Sequence, residues 1–274
     1  MTTANALTSK EFAALLLIGD KILSGRTKDK NIGYIAEYLT ALGIDLREVR
    51  VVGDEETAIV DALNALRHRY TYVFTTGGIG PAPDDITSGC VAKAFGVPID
   101  VDPRALAILH DWLKATGAEM SEARMRMTRI PKGADLVLNE VSGAPGFWIG
   151  NVIVMAGVPS IMQAMLDEVG PKLKTGIQML SETVCADARE SDIGTQLGEI
   201  AKANPGVAIG SHPFFEVTAC NDLPPYRFSE AVVDLYRSEC RLKGWIFSGP
   251  RKAPALRPLF GNHTACVRHL FCNA

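Results

Sequence analysis

Long apolar runs are missing from this chain of 274 residues. No stretch approaches the ~18 consecutive apolar residues of a membrane span, so no helical anchor is expected. The opening MTTANALTSKEF lacks a basic stretch followed by a long apolar run, so no secretory signal is expected and a cytoplasmic location is the default. Charge of one sign is scarce as well. Lys and Arg number 28 against 31 Asp and Glu, a net charge of −3, which gives no reason to expect nucleic acid or an anionic membrane as partner. Metal-ligand spacings are also lacking. There is no CxxC, the spacings of 20, 26 and 6 from Cys220 through Cys240 and Cys266 to Cys272 fit no zinc framework, and His68, His110 and His212 stand apart from any HxxxH or HxH pair. Unpaired thiols are the expectation in a reducing compartment. No internal repeat is visible.

What is present is a chain that can bury a core, with 47% hydrophobic and 22% charged residues and a length suited to one large or two small domains. Ala13–Ile18 is a continuous apolar run, as in a strand covered on both faces. Gly19 and Gly25 bracket a loop. Asn31 stands where it can cap a helix carrying Ile32, Ile35, Ala36, Leu39 and Leu42 at helical spacing, ended by Gly43. A strand over Ile44–Val52, a helix with Ile59, Leu63 and Leu66 on one face, and a strand at Tyr72–Phe74 follow. The loop after Phe74 leads to a helix carrying Ile86, Cys90, Val91, Ala94 and Phe95. Pro103–Thr116 reads as a helix, Leu136–Val141 and Val152–Ala156 as short strands, and Met162, Met165, Leu166 and Val169 face one way on a last helix. The alternation predicts an α/β fold, a mostly parallel sheet with helices on both faces. Such sheets bind ligands beyond the carboxyl ends of their strands.

This domain is expected to span residues 10–174. A partial small α+β unit is expected over 175–215, with strands at Thr183–Arg189 and Val207–Ile209 around a helix carrying Ile193 and Leu197. Residues 216–274 differ in composition. They hold four of the six cysteines and a net charge of +3, against −6 for the first 215 residues. They are expected to be an atypical tail, disordered apart from one helix at Ser229–Leu242.

The loop Thr75-Thr76-Gly77-Gly78-Ile79-Gly80-Pro81-Ala82-Pro83-Asp84-Asp85-Ile86-Thr87 carries the chemistry. Its glycines allow close backbone approach and positive φ, and it feeds a helix start, where free N–H groups suit phosphate. Adjacent carboxylates would repel a phosphate unless a cation lies between them, and Mg²⁺ binds one or two carboxylates together with phosphate oxygens. Asp84 and Asp85 are therefore candidate metal ligands and catalytic groups. Thr76, Gly77, Gly78, Gly80 and Thr87, with Ser24 and Asn31 from the first loop, are candidate phosphate contacts. The plainer alternatives are Asp85 as a helix cap, Asp84 as a solvated turn residue, and Thr87 in a local backbone hydrogen bond. The glycine spacing in this loop is neither GxGxxG nor that of a P-loop.

Four segments together resemble the molybdopterin-binding fold. Thr76–Thr87 resembles its TGGxGxxxxDxT signature. Gly19-Asp20-Lys21-Ile22-Leu23-Ser24-Gly25 resembles its GDEILxG, Ala144-Pro145-Gly146-Phe147 its AxGF turn, and Met155-Ala156-Gly157-Val158-Pro159-Ser160 its LPGVP segment. The fold is shared by molybdopterin adenylyltransferases, gephyrin-type proteins and the competence/damage-inducible protein A (CinA) family. The Asp-Asp form of the loop is similar to the CinA-like branch. The resemblance implies a three-layer α/β/α domain, a phosphorylated pterin or nucleotide as ligand, and a homo-oligomer, dimer or trimer. It also implies either a metal-dependent pyrophosphatase (ADP-ribose with Mg²⁺, Mn²⁺ or Co²⁺), a molybdopterin adenylyltransferase, or a non-catalytic binding protein. Asp85 matches the acidic residue of the transferases, and Asp20, Gly157, Pro159 and Ser160 enter as loop residues of the site. Four positions depart from the pattern: Lys21 for Glu, Met155-Ala156 for Leu-Pro, and Pro83 for His. Arg124, Arg126 and Arg129 could meet phosphates but read more simply as a solvated helix face, and Ser160 as a helix cap.

Overall fold

The computed structural model of the chain describes residues 10–176, 180–186, 190–213 and 231–237. The chain divides into two compact units, residues 1–177 and 178–274.

In the first unit the elements run β1 (Glu11–Ile18), α1 (Asp20–Leu23), α2 (Asn31–Ala41), β2 (Ile44–Val52), α3 (Glu56–Arg67), β3 (Tyr72–Thr76), α4 (Thr87–Phe95) and β4 (Ile99–Val101). They continue with α5 (Pro103–Thr116), α6 (Glu122–Arg126), β5 (Arg129–Pro131), β6 (Asp135–Val137), β7 (Gly146–Ile149), β8 (Val152–Met155) and α7 (Pro159–Val169). Six strands form one sheet in the order β2-β1-β3-β8-β7-β6. The pairs β2-β1, β1-β3 and β3-β8 are parallel, and β8-β7 and β7-β6 antiparallel.

The two-residue period of β1 explains the layering. Ala14, Leu16 and Ile18 join one core with Ile59, Leu63 and Leu66 of α3 and Val91 of α4. Ala13, Leu15 and Leu17 join a second core with Ile35 and Leu39 of α2 and Met162, Met165 and Leu166 of α7. The expected three-layer α/β/α arrangement is therefore what the run Ala13–Ile18 builds. Each fully buried leucine there contributes roughly 1.5–3 kcal/mol.

Local readings needed correction where a short-range signal competed with tertiary pairing. The loop between Gly19 and Gly25 contains the single turn α1. Asn31 does not cap α2. The Asp29 carboxylate accepts the backbone N–H groups of Asn31 and Ile32, at 3.1 and 2.8 Å, and Asn31 is the first helical residue. Ser160 does not cap α7, whose start follows Val158 with Pro159 in the first turn. The short strands β4, β5 and β7 carry no alternation long enough to read; β4 and β5 form by pairing with each other, and β7 by pairing with β6 and β8.

In the second unit, β9 (Leu180–Ala186), α8 (Glu190–Ala203), β10 (Val207–Pro213) and β11 (Ala231–Arg237) are described. β9 begins three residues before the expected Thr183. The helix expected at Ser229–Leu242 is replaced by β11, which pairs antiparallel along its length with both β10 and β9. Val232, Val233 and Tyr236 favour strand by propensity, and two waiting partners decide the matter. The β-α-β piece therefore has a third strand between its two outer ones. The rest of the expected tail, including Cys220, Cys240, Cys266 and Cys272, lies outside the described residues. No helix among the described residues is long and apolar enough to cross a membrane.

Gly146 tests the packing of the antiparallel limb. A methyl group there would run into the Val154 carbonyl oxygen and stand 3.2 Å from Met165 Sδ. Gly146→Ala is expected to destabilise the unit by about 2 kcal/mol through overpacking, seen as a lower calorimetric melting temperature. Gly33→Ala, where an added methyl meets nothing within 4 Å, should melt at or above the parent.

Candidate functional site

β1 leads to β2 on one side of itself, and the chain then returns to place β3 on the other side. The topology reverses between β1 and β3, which opens a crevice at their carboxyl ends. A cavity of about 270 Å³ lies there, lined by Ile18, Asn31, Thr76, Gly77, Gly157 and Pro159, with Lys28 and Lys30 also in its wall. Asn31 is 4% exposed, and its Nδ2 donates to the Gly157 carbonyl at 2.9 Å. Its Oδ1, like Thr75 Oγ1, is buried without a hydrogen-bond partner among the described residues.

Gly77, at the start of the loop from Gly77 to Ile86, lines this cavity, and the loop is tied back onto the chain. Thr87 N donates to Gly78 O at 3.0 Å, and Thr87 Oγ1 donates to Gly77 O at 3.0 Å. Gly77 N donates to Met155 O at 3.2 Å. Gly77 and Gly78 have φ of 102° and 68°. A side chain on Gly78 would overlap Thr87 Oγ1, and one on Gly77 would overlap the Ile18 carbonyl. The close approach these glycines permit is thus first an approach to the chain itself. Thr87 is fully buried and its hydroxyl proton is committed, so it supports the loop and has no proton left to donate to a phosphate.

Asp85 is not the cap of α4, whose N-cap Ile86 is served by no side chain. Its Oδ2 instead accepts the Ala82 N–H at 2.8 Å, while Asp85 N donates to Ala82 O at 3.1 Å. A methyl on Gly80 would lie 2.7 Å from that Oδ2. The turn holds the carboxylate in the wall of a second cavity, of about 310 Å³, lined also by Gly80, Ser88, Cys90, Arg126 and Arg129. Arg126 donates to Pro81 O at 3.0 Å. Asp84 is half exposed and turned to Lys21, with Nζ 3.8 Å from its Oδ2. The lysine that departs from the family's acid therefore sits beside one of the two expected metal ligands.

The other expected residues are placed as follows. Asp20 exchanges hydrogen bonds with Asp54: Asp20 N donates to Asp54 Oδ2 at 3.0 Å and Asp54 N to Asp20 Oδ1 at 3.4 Å, so the acid braces the turn after β2. Ser24 is exposed and donates to Lys21 O at 3.4 Å. Ser24 and Ser160 line neither cavity. Arg126 and Arg129 are exposed, as the solvated reading expects, and they also border the second cavity, Arg129 from β5 and not from the helix; Arg124 is half-buried and donates to Glu119 O. Lys28 and Lys30 went unread, although the Lys-Asp-Lys before Asn31 was the available signal.

The residues present fit a hydrated divalent ion and not a closed cage. The Ala82 N–H occupies one oxygen of Asp85, and Mg²⁺-type ions take one or two carboxylates and complete their shell with water and phosphate oxygens. No group of three or more His, Cys, Asp or Glu side chains able to hold a metal occurs among the described residues.

A mostly parallel sheet with a cavity at its switch point and a second one along its glycine-rich loop defines the class: an α/β ligand-binding domain. Residues 14–175 match the family described as a probable molybdopterin binding domain, and the chain belongs to that family. It is 36% identical over 220 residues to a protein from Pyrobaculum arsenaticum, covering 77% of this chain and 83% of the relative. It is 32% identical over 212 residues to a CinA-like protein from Gemmatimonas aurantiaca, covering 73% of this chain and 50% of that protein. Among solved structures, the protein CinA, of unknown function, from Thermoplasma acidophilum is similar with a TM-score of 0.55 and 32% identity, over 60% of this chain and 98% of that one. The chain is CinA-like.

Two outcomes check this geometry. Gly78→Val is expected to cost the loop its tie to α4, since positive φ alone costs about 1–2 kcal/mol for a residue with a side chain. Amide exchange at Thr87 should then quicken, and ligand binding should fail with it. The second concerns Cys90, which is 1% exposed and whose thiol burial pushes from 9.0 up to about 11. The folded state holds the proton more tightly than the unfolded state. The stability this contributes is full below about pH 9 and is lost as pH rises towards 11. Cys90→Ala should flatten that limb of the stability curve in chemical denaturation.

Proposed function

We propose that the chain binds a phosphorylated nucleotide at the Gly77–Asp85 loop and hydrolyses its P–O–P linkage, an ADP-ribose-type pyrophosphatase working with Mg²⁺, Mn²⁺ or Co²⁺. The observation that carries this is the position of Asp85. The turn holds its carboxylate in a cavity wall, on the same loop whose glycine end faces the switch-point crevice. Phosphate and carboxylate repel at that spot, and a divalent ion on Asp85 would neutralise both and lower the pKa of an attacking water.

The chain's own residues supply position. The Gly77–Gly80 backbone orients the phosphate. The Ala82 N–H keeps Asp85 aimed. Thr76, Asn31 and the two lysines of the crevice hold the remainder of the ligand. Water adds to one phosphorus, the bridging oxygen leaves with the other phosphoryl group, and ADP-ribose gives AMP and ribose 5-phosphate. Binding that relies on fixed dipoles and charge needs little rearrangement at the moment of reaction.

The description of the family favours a second reading, in which the ligand is molybdopterin and the chemistry is adenylyl transfer or binding alone. AMP release from ADP-ribose supports the first reading. AMP transfer from ATP to molybdopterin supports the second, and tight pterin binding without turnover supports binding alone.

Asp85→Asn can keep the hydrogen bond from Ala82 through its amide oxygen. It is therefore expected to melt within a few degrees of the parent while losing metal-dependent turnover by about a hundredfold or more. Turnover within about twofold of the parent would remove Asp85 from the chemistry.

A further inference from the structure

Arg126 and Arg129 carry charge that no carboxylate among the described residues pairs with. Arg47, Arg50, Arg69 and Arg104 each meet a carboxylate. Among the described residues no ion pair involves Arg126 or Arg129. Both nevertheless line the 310 Å³ cavity, together with Asp85. The other acid in that wall, Glu56, is paired with Lys93. The cavity thus presents two guanidinium groups against one uncompensated carboxylate. Ile79, Ile86 and Ile99 contribute apolar wall, which strengthens charge interactions there.

Arg126 also stands against the glycine-rich loop. One of its N–H groups goes to Pro81 O at 3.0 Å, and a guanidinium has five N–H donors. The tie explains the placing of Arg126 as a loop brace. It does not explain Arg129, which makes no side-chain hydrogen bond to a described residue yet faces the same space. A ligand in this cavity has the loop residues Gly80 and Asp85 and both arginines in its wall. The planar fork of arginine matches phosphate oxygens in pairs.

We propose that Arg126 and Arg129 form a second phosphate subsite, so that the chain selects ligands carrying a diphosphate over those carrying a single phosphate. This rests on the reading that the loop holds the first phosphate. It adds a specificity that the loop alone lacks, because a monophosphate satisfies the loop and leaves the arginines empty.

The test uses the full chain with Mg²⁺ and two probes that differ by one phosphate, ADP and AMP, in calorimetric titrations. The parent is expected to bind ADP at least about tenfold more tightly than AMP, the size of a charge-assisted pair of hydrogen bonds. Arg129→Gln should bring ADP to within about twofold of AMP and leave AMP unchanged. In the parent, the Nε–H resonances of Arg126 and Arg129 should move with ADP and stay put with AMP, a readout independent of whether the variant folds. Equal affinity of the parent for ADP and AMP overturns the subsite, as does unmoved Nε–H signals on ADP binding. If ADP-ribose is hydrolysed while Arg129→Gln keeps the ADP preference, the pyrophosphatase reading stands and the subsite falls. If the preference depends on Arg129 but ADP-ribose is left intact, the subsite stands and the hydrolase reading falls. Failure of both nucleotides to bind overturns both.

Discussion

Two hydrogen bonds from Thr87 hold the site together. The backbone N–H goes to Gly78 O and the hydroxyl to Gly77 O, each at 3.0 Å, and both are formed by a residue wholly out of solvent. They bind the first turn of α4 to the two residues that follow β3, so the intervening loop must bulge outward as a closed unit. Everything chemical rides on that bulge. Its glycine end lies at the crevice, its Pro81 carbonyl receives Arg126, and its inner turn aims Asp85. Loosening the tie would release all three at once.

The sheet gives that bulge its setting. β1 is buried on both faces, so its neighbours β2 and β3 occupy both edges, and helices must cover both sides. The reversal of strand order between β1 and β3 leaves their carboxyl ends without a crossing connection, which is where an opening can persist in a close-packed domain. Gly157, at the end of β8, completes the enclosure: a methyl there would stand 3.2 Å from Gly77 Cα.

Charge at the site is arranged on two sides of one loop. Lys21 stands by Asp84 on one side, and Arg126 and Arg129 share a cavity wall with Asp85 on the other. The neighbouring aspartates of the sequence therefore have different surroundings. Asp84 is half exposed, where ion pairing is worth little, whereas Asp85 is fixed by a backbone hydrogen bond in a partly apolar wall. Adjacent residues in a tight turn need not face one cation, and of the two Asp85 is the better placed for chemistry.

Much of the fold was legible because its signals are local and redundant. The apolar run Ala13–Ile18, the helical spacing of Ile59, Leu63 and Leu66, and the helix-ending Gly43 state their elements without help from elsewhere. The glycine-rich loop and its acids were legible as a candidate site because few other roles call for three glycines beside two carboxylates. The capping of α2 by Asp29 in place of Asn31 was not legible, since both residue types cap equally well and only the buried contact of Asn31 with Gly157 separates them. The strand β11 was hidden because its two partners lie before it in the chain. The sequence by itself determined the layered sheet, the place of the loop and the family. Only the tertiary structure decided that Thr87 closes the loop, that Asp84 and Asp85 part company, and that Arg126 and Arg129 reach the cavity. Each of these depends on contacts between segments distant in the chain, whose distances no local pattern encodes.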